Sequence, residues 1–142
     1  MAPGDLQYFY YINPKFHYII SFPRNLLVPQ GIFPSGAGQR FLAPENRAVL
    51  TVWGEYLQQG DSLERLFQQI ITQRTCTYKV CKADWFVVSG YLSDGRIFYR
   101  KTLYRDNMFK SFEITYEKEQ KDLYDGIVTH LARTFENTRP VD

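Results

Sequence analysis

Residues Cys76 to Tyr116 constrain the fold more than any other stretch of this chain. They alternate strand-forming runs, rich in Val, Ile, Thr, Tyr and Phe, with short turn clusters. That arrangement specifies an antiparallel meander. Asp94-Gly95 separates Trp85–Leu92 from Ile97–Tyr104, and such a pair predicts a type I′ hairpin with positive φ at both turn residues. Trp85–Leu92 is apolar on both parities, as expected of a strand covered on two faces. Lys82-Ala83-Asp84 and Arg105-Asp106-Asn107 read as the other reversals. In the last strand Phe112, Ile114 and Tyr116 share one face and Ser111, Glu113 and Thr115 the other.

The flanking segments read as cover for this sheet. Residues 1–15 are expected to form a loosely held lead-in, with a short helical or extended piece at Leu6–Tyr11. Phe16–Pro23 is a strand with Phe16, Tyr18, Ile20 and Phe22 on one face, ended by proline. Residues 23–46, punctuated by Pro and Gly, read as a long loop with a short strand near Gln39–Ala43. Ala48–Trp53 is a further strand that Gly54 closes. A helix starts at Asp61 or Ser62, with Asp61 and Glu64 resembling a capping box. Its apolar stripe is Leu63, Leu66, Phe67, Ile70 and Ile71. A second helix after Tyr116 carries Leu123, Ile127, Leu131 and Phe135 at steps of four. Glu117 and Lys121 form its i, i+4 pair, Gly126 marks close approach to the sheet, and Asn137–Asp142 is a frayed tail. The reading is one α+β domain over 1–142, an antiparallel sheet of about six to seven strands sandwiched by two main helices.

Few residues point to chemistry. The histidines, His17 and His130, are far apart in sequence and read as one surface and one boundary side chain. Ser89-Gly90 lacks the flanking glycine of a nucleophile elbow, and Gly90 reads instead as a bulge or a close contact. Cys76 and Cys81, on one straight strand, would face opposite ways about 16 Å apart. Two free, buried thiols are therefore expected, a disulfide requiring a bend between them. No metal-ligand spacing and no cofactor motif is present. Net charge is +2 on 142 residues, too mild to argue for nucleic acid. No apolar run approaches the roughly 18 residues of a membrane span.

Two groups of residues read as contact surface. Ile32 and Phe33, in the Gly31–Gly38 loop, are apolar side chains suited to anchor a protein partner. Arg96, Tyr99, Arg100, Lys101, Tyr104 and Arg105 interleave cations with aromatics, as single-strand nucleic-acid binders do. The same residues suit a solvated sheet edge protected by charge. Of the first group Ile32 and Phe33, and of the second Arg96, Tyr99, Arg100 and Tyr104, are taken as the partner-binding set.

The order of elements, from FHYIISFP through the Gly/Pro-rich loop and helix to WFVVSG, GRIFYRK and a C-terminal helix, resembles the PsbP-like fold over roughly Tyr11 to Phe135. That fold is named for an extrinsic subunit of photosystem II. A Ran-binding nuclear protein and many exported bacterial proteins of unknown role share it. The resemblance implies a sheet between helices and a non-enzymatic binding role, and brings no catalytic residues. It also implies an exported or periplasmic bacterial protein. MAPGDLQYFYY carries no signal peptide, as a chain trimmed of its signal would not. The expected function is a non-catalytic binding or accessory domain with a protein partner. The alternatives are a small thiol-dependent or hydrolytic enzyme, and a weak nucleic-acid binder.

Overall fold

A computed structural model describes residues 5–139. The strands before the first long helix are β1 (Tyr8–Asn13), β2 (Tyr18–Pro23), β3 (Val28–Ile32), β4 (Gly38–Leu42) and β5 (Ala48–Tyr56). Helix α1 (Leu63–Gln73) leads into the meander β6 (Thr75–Cys81), β7 (Trp85–Tyr91), β8 (Ile97–Arg105) and β9 (Met108–Tyr116). Helix α2 (Lys121–Thr134) and the short β10 (Glu136–Asn137) follow. A seven-stranded antiparallel sheet runs in the order β3-β4-β5-β9-β8-β7-β6, and a three-stranded one in the order β1-β2-β10. The meander pairs as the turns predict, with Trp85 opposite Leu103 and Ile97 opposite Tyr116.

Both faces of the large sheet carry cover, because β7 is apolar on both parities and β8 and β9 add Phe98 and Phe109 opposite their first-face residues. On the first face, Leu50, Val52, Phe112 and Ile114 meet Tyr18, Ile20 and Phe22 of β2 and Tyr124, Ile127 and Leu131 of α2. On the second face, Phe86, Val88, Phe98 and Phe109 meet Leu63, Phe67 and Ile70 of α1. An isolated helix of 11 residues is marginal in water, so those three buried side chains are what holds α1.

The cover of the two faces is unequal. Helix α1 lies over β6 and β7 on the second face, whereas α2 and the small sheet cover the first face from β4 across to β8 and Trp85 of β7. No side chain of β3, β4 or β5 belongs to the core beneath α1. Among the described residues nothing joins the second face of those strands to a core, and that face is open.

Several local expectations are corrected. The lead-in contains β1, paired along its length with β2; residues 1–4 lie outside the described residues. Phe16 and His17 belong to the turn before β2, which Asn13 Oδ1 closes by accepting the amides of Lys15 (3.0 Å) and Phe16 (2.9 Å). Residues 23–46 are not one loop but include the hairpin β3–β4, whose backbone groups find partners in the sheet. Strand β5 continues past Gly54 to Tyr56, with the Phe16 ring against Gly54. The cap of α1 is Ser62, whose Oγ accepts from Arg65 N (3.1 Å), while Asp61 Oδ2 accepts from Gln58 N (2.8 Å). Lys121 pairs with Asp125 (2.9 Å), not Glu117, because α2 begins at Lys121 itself. The expected tail begins within β10, and its residues 140–142 lie outside the described ones.

Candidate binding surface

The open half of the second face is lined by Val28 of β3, Arg40 and Leu42 of β4, and Val49, Thr51 and Trp53 of β5. Glu113 and Thr115 of β9 join them through the pairing Thr51–Glu113 and Val49–Thr115. At its border with α1 lies a polar and aromatic cluster. The Arg100 guanidinium stacks 5.0 Å from the Trp53 ring and 5.8 Å from that of Phe86. Its Nε donates to Thr102 Oγ1 (3.1 Å) and its Nη2 to Ser111 Oγ (3.3 Å). The two hydroxyls share a further hydrogen bond of 2.8 Å. Beside them Arg74, at the end of α1, donates to both oxygens of Glu113 (2.6 and 3.4 Å). Trp53 Nε1 donates to Glu55 Oε2 (2.9 Å). Burial pulls the Arg100 guanidinium down to about 10, partly offset by Glu113 and Glu55, so it stays charged at neutral pH. The cluster offers a fixed positive charge, a flat aromatic and rigid backing, which is chemistry suited to recognition.

The expected contact residues do not come together. Ile32, 60% exposed, and Phe33 sit at the β3–β4 hairpin, on the rim of the sheet. Arg96 reaches the backbone carbonyls of Asn46 (3.4 Å), Arg47 (3.2 Å) and Thr115 (3.4 Å), and so stitches two turns to β9. The β8 residues split by parity. Tyr99 and Lys101 point to the first face, where Tyr99 stacks on Phe112 at 5.8 Å and Lys101 lies over Trp85. Arg100 and Tyr104 point to the second face, with Arg100 on the open border and Tyr104 beneath α1. A stacking platform for single-stranded nucleic acid needs these aromatics and cations on one side, and the pleat divides them.

The thiols lie on the same face, contrary to the straight-strand expectation. A bulge between Cys76 and Tyr78 shifts the register, so Cys76 faces Gly90 and Cys81 faces Phe86, both toward α1. They are free. Burial pushes both thiols up in pKa, the reverse of what an activated nucleophile needs. Cys81 lines a cleft of about 560 Å³ with Leu63, Phe67, Lys82 and Tyr104. His130 is on α2, across the sheet, where its Nε2 meets Ser21 Oγ at 2.8 Å. Burial and the Arg133 guanidinium, 3.4 Å from Nδ1, hold the His130 pKa below its ordinary value. His17, with φ 57°, lies in the β1–β2 turn. Among the described residues no group of three His, Cys, Asp or Glu gathers as a metal site would.

Sequence reasoning passed over Trp53. The signal for Trp53 was its place on the parity opposite Leu50 and Val52, where a large aromatic has no reason to sit unless that face is partly covered.

No protein-family model matches the sequence, and no curated protein matches it. The structure is similar to the solution structure of cyanobacterial PsbP (CyanoP) from Synechocystis sp. PCC 6803. The likeness has a TM-score of 0.69 at 11% identity and covers 93% of each chain. The chain therefore has a PsbP-like fold.

Proposed function

We propose that this chain is a non-catalytic accessory domain that binds another protein through the open half of its sheet. The observation that carries the reading is the uncovered second face of β3, β4 and β5, with Trp53 and Arg100 on its border. A half-apolar sheet surface on a stiff support is what a protein partner covers. Phe33 stands at its rim and extends the contact, whereas Ile32, paired with Gln39 beyond the β3 bulge, falls on the first-face parity. Tyr99, Tyr104 and Arg96 lie outside the surface and contribute little. The fold agrees with this reading, since the resemblance on which it was first expected implies a binding role. The same resemblance supports an exported bacterial protein, which cell fractionation tests.

A photo-crosslinking amino acid at Val49 tests the surface, with one at Tyr78, on the opposite edge and face, as control. The expected result is a specific adduct from Val49 alone. Equal adducts at both positions, or none at Val49, overturn it. Conversion of Phe33 to serine is expected to weaken the adduct, and an unchanged yield removes the hairpin from the contact.

A further inference from the structure

The following rests on the binding surface just proposed. We propose that the partner presents an acidic peptide segment, a single Asp or Glu carboxylate between apolar residues, docked with the carboxylate on Arg100 and the apolar neighbours against Trp53.

Arg100 is only 8% exposed, yet no carboxylate among the described residues lies within ion-pair distance of it. Its two hydrogen bonds end on neutral hydroxyls, those of Thr102 and Ser111. Its Nη1 has no hydrogen-bond partner among the described residues. That atom is not sealed in: the side-chain polar atom that is both enclosed and unpartnered there is His17 Nδ1. Arg100 thus keeps one donor group within reach of solvent.

The carboxylates already on this face are committed. Glu113 is held by Arg74 and Glu55 by the Trp53 indole. A guanidinium buried this far, with its nearest carboxylates Glu113 and Glu55 beyond ion-pair distance and bonded elsewhere, is costly to the fold. A carboxylate brought by a partner relieves that cost through a charge-assisted hydrogen bond. Val49, Leu42 and Val28 supply apolar surface for the residues beside it. Arg40 is the other cation of this half without an ion-pair partner among the described residues. The flanking Glu55 and Glu113 disfavour a ligand with charge at every unit. The chemistry selects one carboxylate in an apolar setting over a nucleic-acid strand.

Arrays of short peptides with one Glu between apolar residues, and the same peptides with Gln, test this at low ionic strength. The Glu set is expected to bind about tenfold better, the worth of one charge-assisted hydrogen bond. Arg100→Gln, with its fold checked by circular dichroism, is expected to abolish the preference. Should Arg100→Gln not fold, Thr51→Glu replaces it by placing a like charge on the open face. It is expected to weaken the Glu set about tenfold and leave the Gln set unchanged. Equal binding of the two sets, no binding of either, or a preference that survives Arg100→Gln overturns the proposal. So does tighter binding of a single-stranded oligonucleotide than of any Glu peptide. A Val49 adduct without Glu preference leaves the surface standing and removes the role of Arg100. With no adduct, both readings fall.

Discussion

Lys110 lies fully buried on β9, on the same parity as Phe112 and Ile114, and donates to Asn137 Oδ1 of β10. Desolvation lowers its pKa from 10.5 to about 8. The folded chain therefore binds this proton less readily than the unfolded chain does. Stability lost to charging Lys110 is regained as pH rises from about 8 to 10.5, and below 8 the cost is constant. Tyr99, Tyr116 and Tyr124, raised to about 12 by burial, act in the opposite sense above pH 10. The stability difference between wild type and Lys110→Met isolates the lysine, and chemical denaturation at several pH values is expected to show wild type gaining on the variant across that window. A difference independent of pH would mean that the amine is already solvated. The burial of Lys110 was foreshadowed by its parity, but strand alternation cannot say whether a lysine folds its ammonium outward. Turn chemistry was legible in type and misassigned in place. Asp106 and Asn107 take the positive φ values, 56° and 63°, expected of the type I′ pair, whereas at Asp94-Gly95 Gly95 alone does (φ 88°). There Gly95 N bonds Leu92 O (2.9 Å) in a longer turn.

At the scale of elements, two glycines that read alike in the sequence behave differently. A Cβ on Gly90 would stand 2.0 Å from Thr75 O, because the β6 bulge brings that backbone against β7. Gly90→Ala is expected to cost about 1–3 kcal/mol in a denaturation midpoint, since backbone must move. Gly126, expected to mark close approach to the sheet, has open space: nothing stands within 4 Å of its would-be Cβ. Gly126→Ala is expected to stabilise the protein by about 0.5–1 kcal/mol, through helix propensity and a less mobile unfolded chain. A loss of stability there would imply a packing role the structure does not contain. Ser62→Ala is expected to cost about 1 kcal/mol, and Asp61→Ala to leave the α1 cap intact, as thermal melts of the two would tell. Periodicity revealed both helices, because their stripes are continuous. The hairpin β3–β4 escaped it because Pro29 and Gly31 lie inside β3, an edge strand that tolerates them.

For the whole molecule, the question is whether two cores on opposite faces of one sheet behave as one. Strands β8 and β9 supply both: Ile97, Leu103, Phe112 and Ile114 to the first, Phe98 and Phe109 to the second. Loss of either core would strip one side of the same backbone, leaving alternate residues of a central strand facing water. That is a far larger penalty than fraying an edge. The sequence carried one two-sided strand, Trp85–Leu92, but not the part that β8 and β9 play in both cores nor which half of the second face α1 covers, since a strand's parity does not say which neighbour covers it. Trp53 and Trp85 report the two sides separately, Trp53 on the open second face and Trp85 packed against the first core. In single-tryptophan variants, Trp53→Phe and Trp85→Phe, fluorescence and far-ultraviolet circular dichroism are expected to give one coincident urea transition. Two separated transitions, with the α1 side melting first, would mean that the shared strands do not couple the cores. The open half-sheet would then be exposed in a partly unfolded state as well as in the native one.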